Sequence, residues 1–240
     1  MPQLMRPWGA MHYEDHGGAG AAFLMLPGTS CDSTDWGPCL RLLSARVRPV
    51  CMDFPGHGRS AVPRGPLSLE GLSADALALA EHLRLRHVGI VGHSLGGIAA
   101  LHAAALSDVP DCLVLLEGWT RLDSDQAFAA GHLYGGLGPE AVREIQRKDA
   151  ETVSRIDPRV WRGLSESVGC FDAWPYLQRA KIPILEVYGD CGRTADAERL
   201  LAIPDNPRIA TVWVPGAGHY LPHERPREVA EIINAAAERL

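Results

Sequence analysis

The chain has 240 residues, of which 46% are hydrophobic and 22% are charged, and its formal net charge at pH 7 is −6. This length allows one sizeable buried core, and the mild acidity without any cluster of lysine or arginine argues against a nucleic-acid-binding surface. No apolar run approaches the length of a membrane span and residues 1–20 lack the pattern of a signal peptide, so we expect a cytoplasmic protein without membrane association.

The cysteines give no sign of a metal site. They are far apart in the sequence and never have the CxxC spacing; they lie at positions 31, 39, 51, 112, 170 and 191. We therefore expect free thiols, and neither a metal nor a cofactor is predicted.

In the first half of the chain, short apolar runs alternate with amphipathic stretches. Runs of four to seven apolar residues are typical of strands, and apolar residues at helical spacing indicate helices. In chain order these are an edge strand at 11–14, strands at 21–26 and 47–52, a helix carrying Leu69 to Leu83, a strand from Val88, a helix at 98–106 and a strand at 112–116.

The alternation stops after Leu116 and resumes near Ile182. Residues 118–180 contain no convincing central strand, whereas Pro139 opens a predicted helix. Two further strands, at 182–188 and 210–214, precede a final amphipathic helix. The pattern predicts an α/β fold with a mostly parallel sheet covered by helices on both faces. We expect a core of residues 1–117 and 181–240 and a helical lid at 118–180.

One motif stands out within this pattern. The apolar run from Val88 ends in Gly92-His93-Ser94-Leu95-Gly96, and a helix of small residues follows at once. A Gly-x-Ser-x-Gly sequence between a strand and a helix is typical of a nucleophile elbow, in which the glycines leave room for a sharp turn. Ser94 is therefore the candidate nucleophile.

A serine hydroxyl needs a general base, and His219 is the best placed of the ten histidines. It lies on a glycine-rich loop directly after the last predicted strand, which places it at the same edge of the sheet as Ser94. His57 and His93 lie on loops near the site and are expected to shape it. Five others have no special sequence context; they are His12, His82, His87, His102 and His132.

Four motifs in register resemble the α/β-hydrolase superfamily, in particular its lid-bearing esterase, epoxide hydrolase and dehalogenase branch. They are Pro27-Gly28 after a strand, Asp53-x-Pro55-Gly56-x-Gly58-x-Ser60, the elbow at residues 92–97, and Gly216-Ala217-Gly218-His219 followed by Glu224-Arg225-Pro226. The resemblance spans nearly the whole chain, but such motifs are far more specific for the fold than for the substrate.

The resemblance implies an oxyanion hole made of two backbone N–H groups, those of Thr29 and Leu95. Pro27 stands where relatives commonly have histidine, so a side-chain donor is missing there. The missing side chain does not remove the backbone donors. Each of them typically contributes about 2.7–4 kcal/mol of transition-state stabilisation.

The acid of a catalytic triad has two main candidates, and Asp196 is a distant third. The resemblance leads us to expect Gly-x-x-Asp after the penultimate strand, but here the loop reads Gly189-Asp190-Cys191-Gly192, so Asp190 comes two residues early. Glu117 ends the strand before the lid, where some similar haloalkane dehalogenases place a glutamate. A carboxylate directly after an apolar strand needs a partner, and His219 would be one. We favour Glu117 and keep Asp190 as the alternative.

These residues predict a serine hydrolase that cleaves small or medium apolar carboxylic esters, lactones included. Dehalogenation and epoxide hydrolysis are disfavoured because they need a carboxylate at the elbow. The alternatives are C–C bond hydrolysis, perhydrolysis or acyl transfer by the same triad, or a non-catalytic scaffold that binds a small ligand. Trp119, His93 and Trp161 are candidate pocket residues. The oligomeric state cannot be read from the sequence.

Overall fold

The computed structural model describes residues 2–240 and contains one eight-stranded sheet. Its order is β1-β2-β4-β3-β5-β6-β7-β8. The strands are β1 (Gln3–Arg6), β2 (Gly9–Asp15), β3 (Ala21–Leu26), β4 (Val47–Met52), β5 (Val88–His93), β6 (Pro110–Leu116), β7 (Ile184–Gly189) and β8 (Ile209–Val214).

Helices lie between most of the strands and vary from a single turn to 17 residues. Within residues 2–240 they are α1 (Gly37–Leu40), α2 (Leu69–His82), α3 (Leu95–Leu106), α4 (Pro139–Arg155), α5 (Pro158–Cys170), α6 (Trp174–Arg179), α7 (Ala197–Leu201), α8 (Leu221–Glu224) and α9 (Pro226–Ala237). Short 3-10 turns occupy Ser33–Trp36, Leu122–Ala127 and His132–Tyr134.

Strands β3 to β8 are parallel, while β1 and β2 form an antiparallel edge. Successive side chains of β3 point to opposite faces, and both faces are buried. Leu24 and Leu26 pack with α2 and α3, whereas Phe23 and Met25 pack with α1 and α9. Burial on both faces explains why these strands read as continuous apolar runs, and it confirms the predicted α/β fold.

The chain reverses its direction of travel across the sheet at β3. It first crosses to β4 on one side of β3 and then returns to β5 on the other. Loops that follow neighbouring parallel strands diverge at such a point and leave a crevice at the carboxyl ends of the strands. The loop after β3 and Ser94, which follows β5, therefore lie side by side.

The segment between β6 and β7 contains helices and turns, and its longer helices pack over this crevice. Val160, Leu164 and Val168 of α5 are buried against the main core, and the hydroxyl of Ser167 accepts a hydrogen bond from the backbone N–H of Leu69 at 2.8 Å. Several elements lay outside the sequence prediction. They include β1, which alternates between exposed and half-buried residues, α5 as a helix separate from α4, and the short helices α6, α7 and α8.

Across residues 2–240, every helix is too short or too polar to cross a lipid bilayer.

Candidate active site

Ser94 lies in a strained turn at the junction of β5 and α3. Its backbone angles are φ 52° and ψ −117°, a left-handed conformation that is unusual for a residue with a side chain. Its N–H donates to Leu116 O at 2.8 Å, and its carbonyl accepts from Gly97 N at 2.8 Å. These bonds hold the turn in place.

The two glycines of the motif make this turn possible. A Cβ atom at Gly92 would overlap the carbonyl of Gly96, and one at Gly96 would overlap the carbonyl of Leu26. Any larger residue would therefore force the elbow apart, which is the steric reason for the Gly-x-Ser-x-Gly pattern.

The loop after β3 approaches the elbow closely. A Cβ at Gly28 would lie 3.3 Å from Ser94 Cβ, and Thr29, Ser94 and Leu95 line one pocket. Within residues 2–240 the backbone N–H groups of Thr29 and Leu95 have no hydrogen-bond acceptor. Two unpaired donors beside a serine hydroxyl are the arrangement that an oxyanion hole requires.

Polar contacts with α4 anchor this loop. The ammonium of Lys148 lies 3.0 Å from Asp32 and 2.5 Å from Asp35, and the hydroxyl of Ser30 donates to Asp149 at 2.6 Å. Burial alone would raise the pKa of Asp35, but the contacts with His223 and Lys148 outweigh it and lower that pKa to about 2. Asp35 is therefore charged, and α4 is held to the loop that carries Thr29.

Glu117 is completely buried at the end of β6 and also has a positive φ, of 57°. Its Oε1 accepts from Gly189 N at 2.7 Å, and its Oε2 lies 2.8 Å from His132 Nε2 and 3.3 Å from His219 Nδ1. Burial opposes a charge on this carboxyl, yet the hydrogen bonds from His132 and His219 outweigh it and lower the pKa of Glu117 below its ordinary value. The side chain is a carboxylate whose oxygens face three nitrogen atoms.

His219 lies on the loop after β8 with its ring beside Glu117 and Trp119. Its backbone is fixed on both sides, because its N–H donates to His132 O at 3.1 Å and its carbonyl accepts from His93 Nε2 at 2.8 Å. The structure has no hydrogen bond between His219 Nε2 and Ser94 Oγ. Such contacts are often loose in a site without substrate and tighten when the substrate binds.

His93 has a different place from the one predicted for it. Its ring is buried and is not among the residues that line the pocket beside Ser94. Burial and the neighbouring His219 lower the pKa of His93 to about 3, so the ring is neutral, and Nε2 carries the proton that is donated to the His219 carbonyl. His93 positions the loop of His219 instead of lining the pocket.

Asp190 does not contact His219. Its Oδ1 accepts from the backbone N–H of Gly216 at 2.6 Å, and its own N–H donates to Val214 O at 3.2 Å. These bonds join the loops that follow β7 and β8. Of the two acid candidates, the structure brings Glu117 to His219 and leaves Asp190 in a turn.

Gly192 stands where the resemblance led us to expect the acid of the triad. It has a φ of +75°, and a Cβ there would lie 3.2 Å from Ala129 O and 3.3 Å from His132 Cβ. His132 therefore occupies the space into which a side chain from this loop would extend.

We expect Gly192→Asp to destabilise the fold, because an aspartate there meets both a left-handed backbone and a crowded site. Gly17→Asp is the matched control, since Gly17 has a φ of +69° but no heavy atom within 4 Å of its Cβ position. In urea unfolding, Gly192→Asp should lose about 1–2 kcal/mol more than the control, because the positive φ is common to both sites and only Gly192 is crowded. Equal stability of the two variants would contradict this account of the loop.

Sequence reasoning gave His132 no role, but the structure places it at the centre of the site. It lies in a short turn between β6 and α4 and reaches the Glu117 carboxylate while its ring stacks on Phe128 at 3.8 Å between centroids. No motif surrounds it in the sequence. Only the path of the chain across the sheet brings it to Glu117.

Glu117, His132 and His219 each present one atom that could bind a metal, and these atoms lie within 4.8 Å of one another. Two ligands of a tetrahedral zinc ion are about 3.3 Å apart when each bond is 2.0–2.1 Å. The 2.8 Å between His132 and Glu117 is instead the length of a charge-assisted hydrogen bond. We interpret these residues as a hydrogen-bonded group and not as metal ligands.

The pocket beside Ser94 is apolar and has a volume of about 230 Å³. Trp119 and Trp161 line it, and their indole N–H groups are buried without a partner in residues 2–240. The other lining residues are Thr29, Ser94, Leu95, Ile98, Leu122, Leu164, Ser165 and Val168. Its small apolar volume suits a compact apolar group bound next to the serine.

The fold and the serine elbow together define a hydrolase of the α/β class. The model of the alpha/beta hydrolase family matches residues 23–232, and the chain belongs to this family.

Two kinds of relatives accompany this match. The protein RutD of Caulobacter vibrioides, which is provisionally named a carbamate hydrolase, is 32% identical to this chain over 174 residues. The aligned part covers 67% of this chain and 64% of that protein. Among solved structures, a point mutant of the N-acyl homoserine lactonase AidH, complexed with N-hexanoyl homoserine lactone, has a TM-score of 0.80 at 20% identity, covering 98% of this chain and 96% of that one. A thermophilic esterase from Thermogutta terrifontis has a TM-score of 0.75 at 22% identity, covering 99% and 98%. At these identities the structures share the fold.

Proposed function

We propose that this chain is a serine hydrolase that cleaves small or medium carboxylic esters, lactones included, through an acyl-enzyme on Ser94. The observation that carries the proposal is the strained elbow, which presents Ser94 to an apolar pocket beside the Glu117–His219 pair. Residues 118–180 serve as a lid that supplies Trp119 and Trp161 to that pocket.

In the proposed mechanism, His219 Nδ1 keeps its proton because it faces the Glu117 carboxylate, which can only accept. The other ring nitrogen, Nε2, then carries the lone pair that removes the proton from Ser94 Oγ. Binding of the substrate closes the distance between these two atoms. The imidazolium that forms is stabilised by the negative charge of Glu117.

As Ser94 Oγ attacks the carbonyl carbon, negative charge develops on the substrate oxygen. The free N–H groups of Thr29 and Leu95 would donate to this oxygen, and they cost no reorganisation because the elbow and α4 hold them in place. His219 then gives its proton to the leaving alcohol. Water activated by the same ring hydrolyses the acyl-enzyme and restores Ser94.

Carbamate hydrolysis is a second candidate, because the Caulobacter vibrioides relative carries that assignment in its name. A carbamate presents the same carbonyl to Ser94 and needs the same oxyanion donors. The two candidates differ in the leaving group and in the reactivity of the carbonyl, so they are separable by rate.

The test is a substrate panel assayed with the purified chain. It comprises p-nitrophenyl acetate, butyrate and octanoate, γ-butyrolactone, an N-acyl homoserine lactone and ethyl carbamate. We expect turnover of the short esters, with kcat/KM falling for octanoate because the pocket holds only about 230 Å³. Turnover of carbamate alone would select the second candidate. Inertness across the whole panel, together with no labelling by a fluorophosphonate probe, would refute both.

A further inference from the structure

Both ring nitrogens of His132 face oxygen acceptors. Nδ1 lies 2.6 Å from the carbonyl oxygen of Cys191, and Nε2 lies 2.8 Å from Glu117 Oε2. A carbonyl oxygen can only accept, so Nδ1 must carry a proton. A neutral imidazole has no second proton to place on Nε2.

The second contact therefore needs one more proton, either on Nε2 or on Glu117. Glu117 already accepts from the backbone N–H of Gly189 and faces His219 Nδ1, and a carboxylate with several donors resists protonation. The proton belongs on the ring. Burial opposes the charge, but the contacts with Glu117 outweigh it and raise the pKa of His132 above its ordinary value.

The charged neighbours of His132 come from several elements. Glu117 follows β6, and Glu224 of α8 adds a second negative charge that favours the protonated ring. His219, on the loop after β8, opposes it when that ring is itself protonated. The loop after β7 contributes the Cys191 carbonyl, and Phe128 stacks on the ring without charge.

The backbone of His132 is also built into the site. Its carbonyl accepts the N–H of His219 at 3.1 Å, and the side-chain-free Gly192 leaves room for its Cβ. The residue thus contacts the acid through its ring and the base through its backbone. These contacts distinguish His132 from a histidine on the protein surface.

We infer that His132 is a cationic positioning residue, which holds the Glu117 carboxylate and offsets part of its negative charge toward His219. The inference rests on the proposed roles of Glu117 and His219. Through His132, the lid would have a direct electrostatic effect on the general base, His219.

The consequence is a shift in the acidic limb of the pH profile. His219 must be unprotonated to act as base, so activity falls at low pH as the ring takes up a proton. Without the charge of His132, Glu117 would stabilise that protonated ring more strongly. The acidic limb of kcat/KM should then move to higher pH.

The experiment compares His132→Gln with His87→Gln, which removes a histidine from another carboxylate, Asp111, at 3.2 Å. For His132→Gln we expect the acidic limb of kcat/KM to shift to higher pH by the order of one pH unit, with a several-fold fall in kcat. For His87→Gln the limb should stay in place, even if thermal stability falls. A uniform loss of kcat without a shift, or a profile that superimposes on that of the unmodified chain, would overturn the inference.

A second measurement does not need an active or substituted enzyme. In ¹⁵N-histidine-labelled protein at pH 6.5, both nitrogens of one buried ring should have shifts of a protonated imidazolium, with the signal assigned by its contact to Phe128. A single protonated nitrogen on His132 would contradict the inference. If Ser94 proved not to be the nucleophile, this spectrum would be unaffected, so the two failures are distinguishable.

Discussion

Replacing Ser94 by alanine should reduce kcat for the best ester of the panel by roughly 10⁴- to 10⁶-fold, to the level that binding and the oxyanion donors alone can supply. The hydroxyl oxygen is the only atom removed, and the strained turn is held by backbone bonds to Leu116 and Gly97 that the substitution leaves intact. We therefore expect the variant to fold and to bind substrate with a KM close to that of the unmodified chain.

Ser107→Ala is the matched control. Ser107 stands at the opposite end of α3, where its hydroxyl accepts only the N–H of Val109, so the same substitution should leave kcat within about twofold. An active Ser94→Ala variant would contradict the proposal, because Ser94 is the hydroxyl that the elbow presents to the pocket.

The second large effect concerns the acid. Glu117→Gln should lower kcat by about 10³- to 10⁴-fold, because an amide cannot stabilise the imidazolium of His219 and can hold the wrong tautomer. It preserves the volume of a completely buried side chain. The loss should appear in kcat and kcat/KM alike, since Glu117 does not line the pocket.

Asp190→Asn provides the comparison that decides between the two candidate acids. Its amide oxygen can still accept from Gly216 N, the contact that Asp190 makes at 2.6 Å, so activity should change by less than about threefold. A loss for Asp190→Asn that matches or exceeds the loss for Glu117→Gln would show that the acid has been assigned to the wrong residue.

The sequence was sufficient for most of the fold because each core strand is buried on both faces. A strand such as β3 reads as a continuous apolar run, and α2 shows its buried face as apolar residues at helical spacing. The short strand β1 could not be predicted, because its exposed and half-buried residues are stabilised mainly by pairing with β2. That pairing is a long-range property that local patterns do not encode.

The residues of the candidate site likewise fall into those that local sequence predicts and those that only the folded chain brings together. Ser94 and His219 follow strands and have glycines around them, so the local sequence is enough to predict them as site residues. Glu117 was predicted from the resemblance to some haloalkane dehalogenases, together with the argument that a carboxylate after four apolar residues needs a partner. His132 has no such signal, since the relation between it and Glu117 exists only after the segment between β6 and β7 has folded over the sheet.

His93 illustrates a further limit. Its place in the elbow motif suggested a pocket residue, but its ring donates to the backbone of His219. Sequence position placed it beside the nucleophile, and only the structure shows which way the ring extends.

The central claim is that Ser94 carries the acyl group, and intact-protein mass spectrometry after rapid acid quench tests it most directly. With p-nitrophenyl butyrate in excess, we predict a burst of p-nitrophenol together with a mass increase of one butyryl group (about 70 Da), which peptide mapping places on Ser94. The adduct should be absent from Ser94→Ala and present in Ser107→Ala. Turnover without any adduct or burst, or an adduct on another residue, would contradict the account.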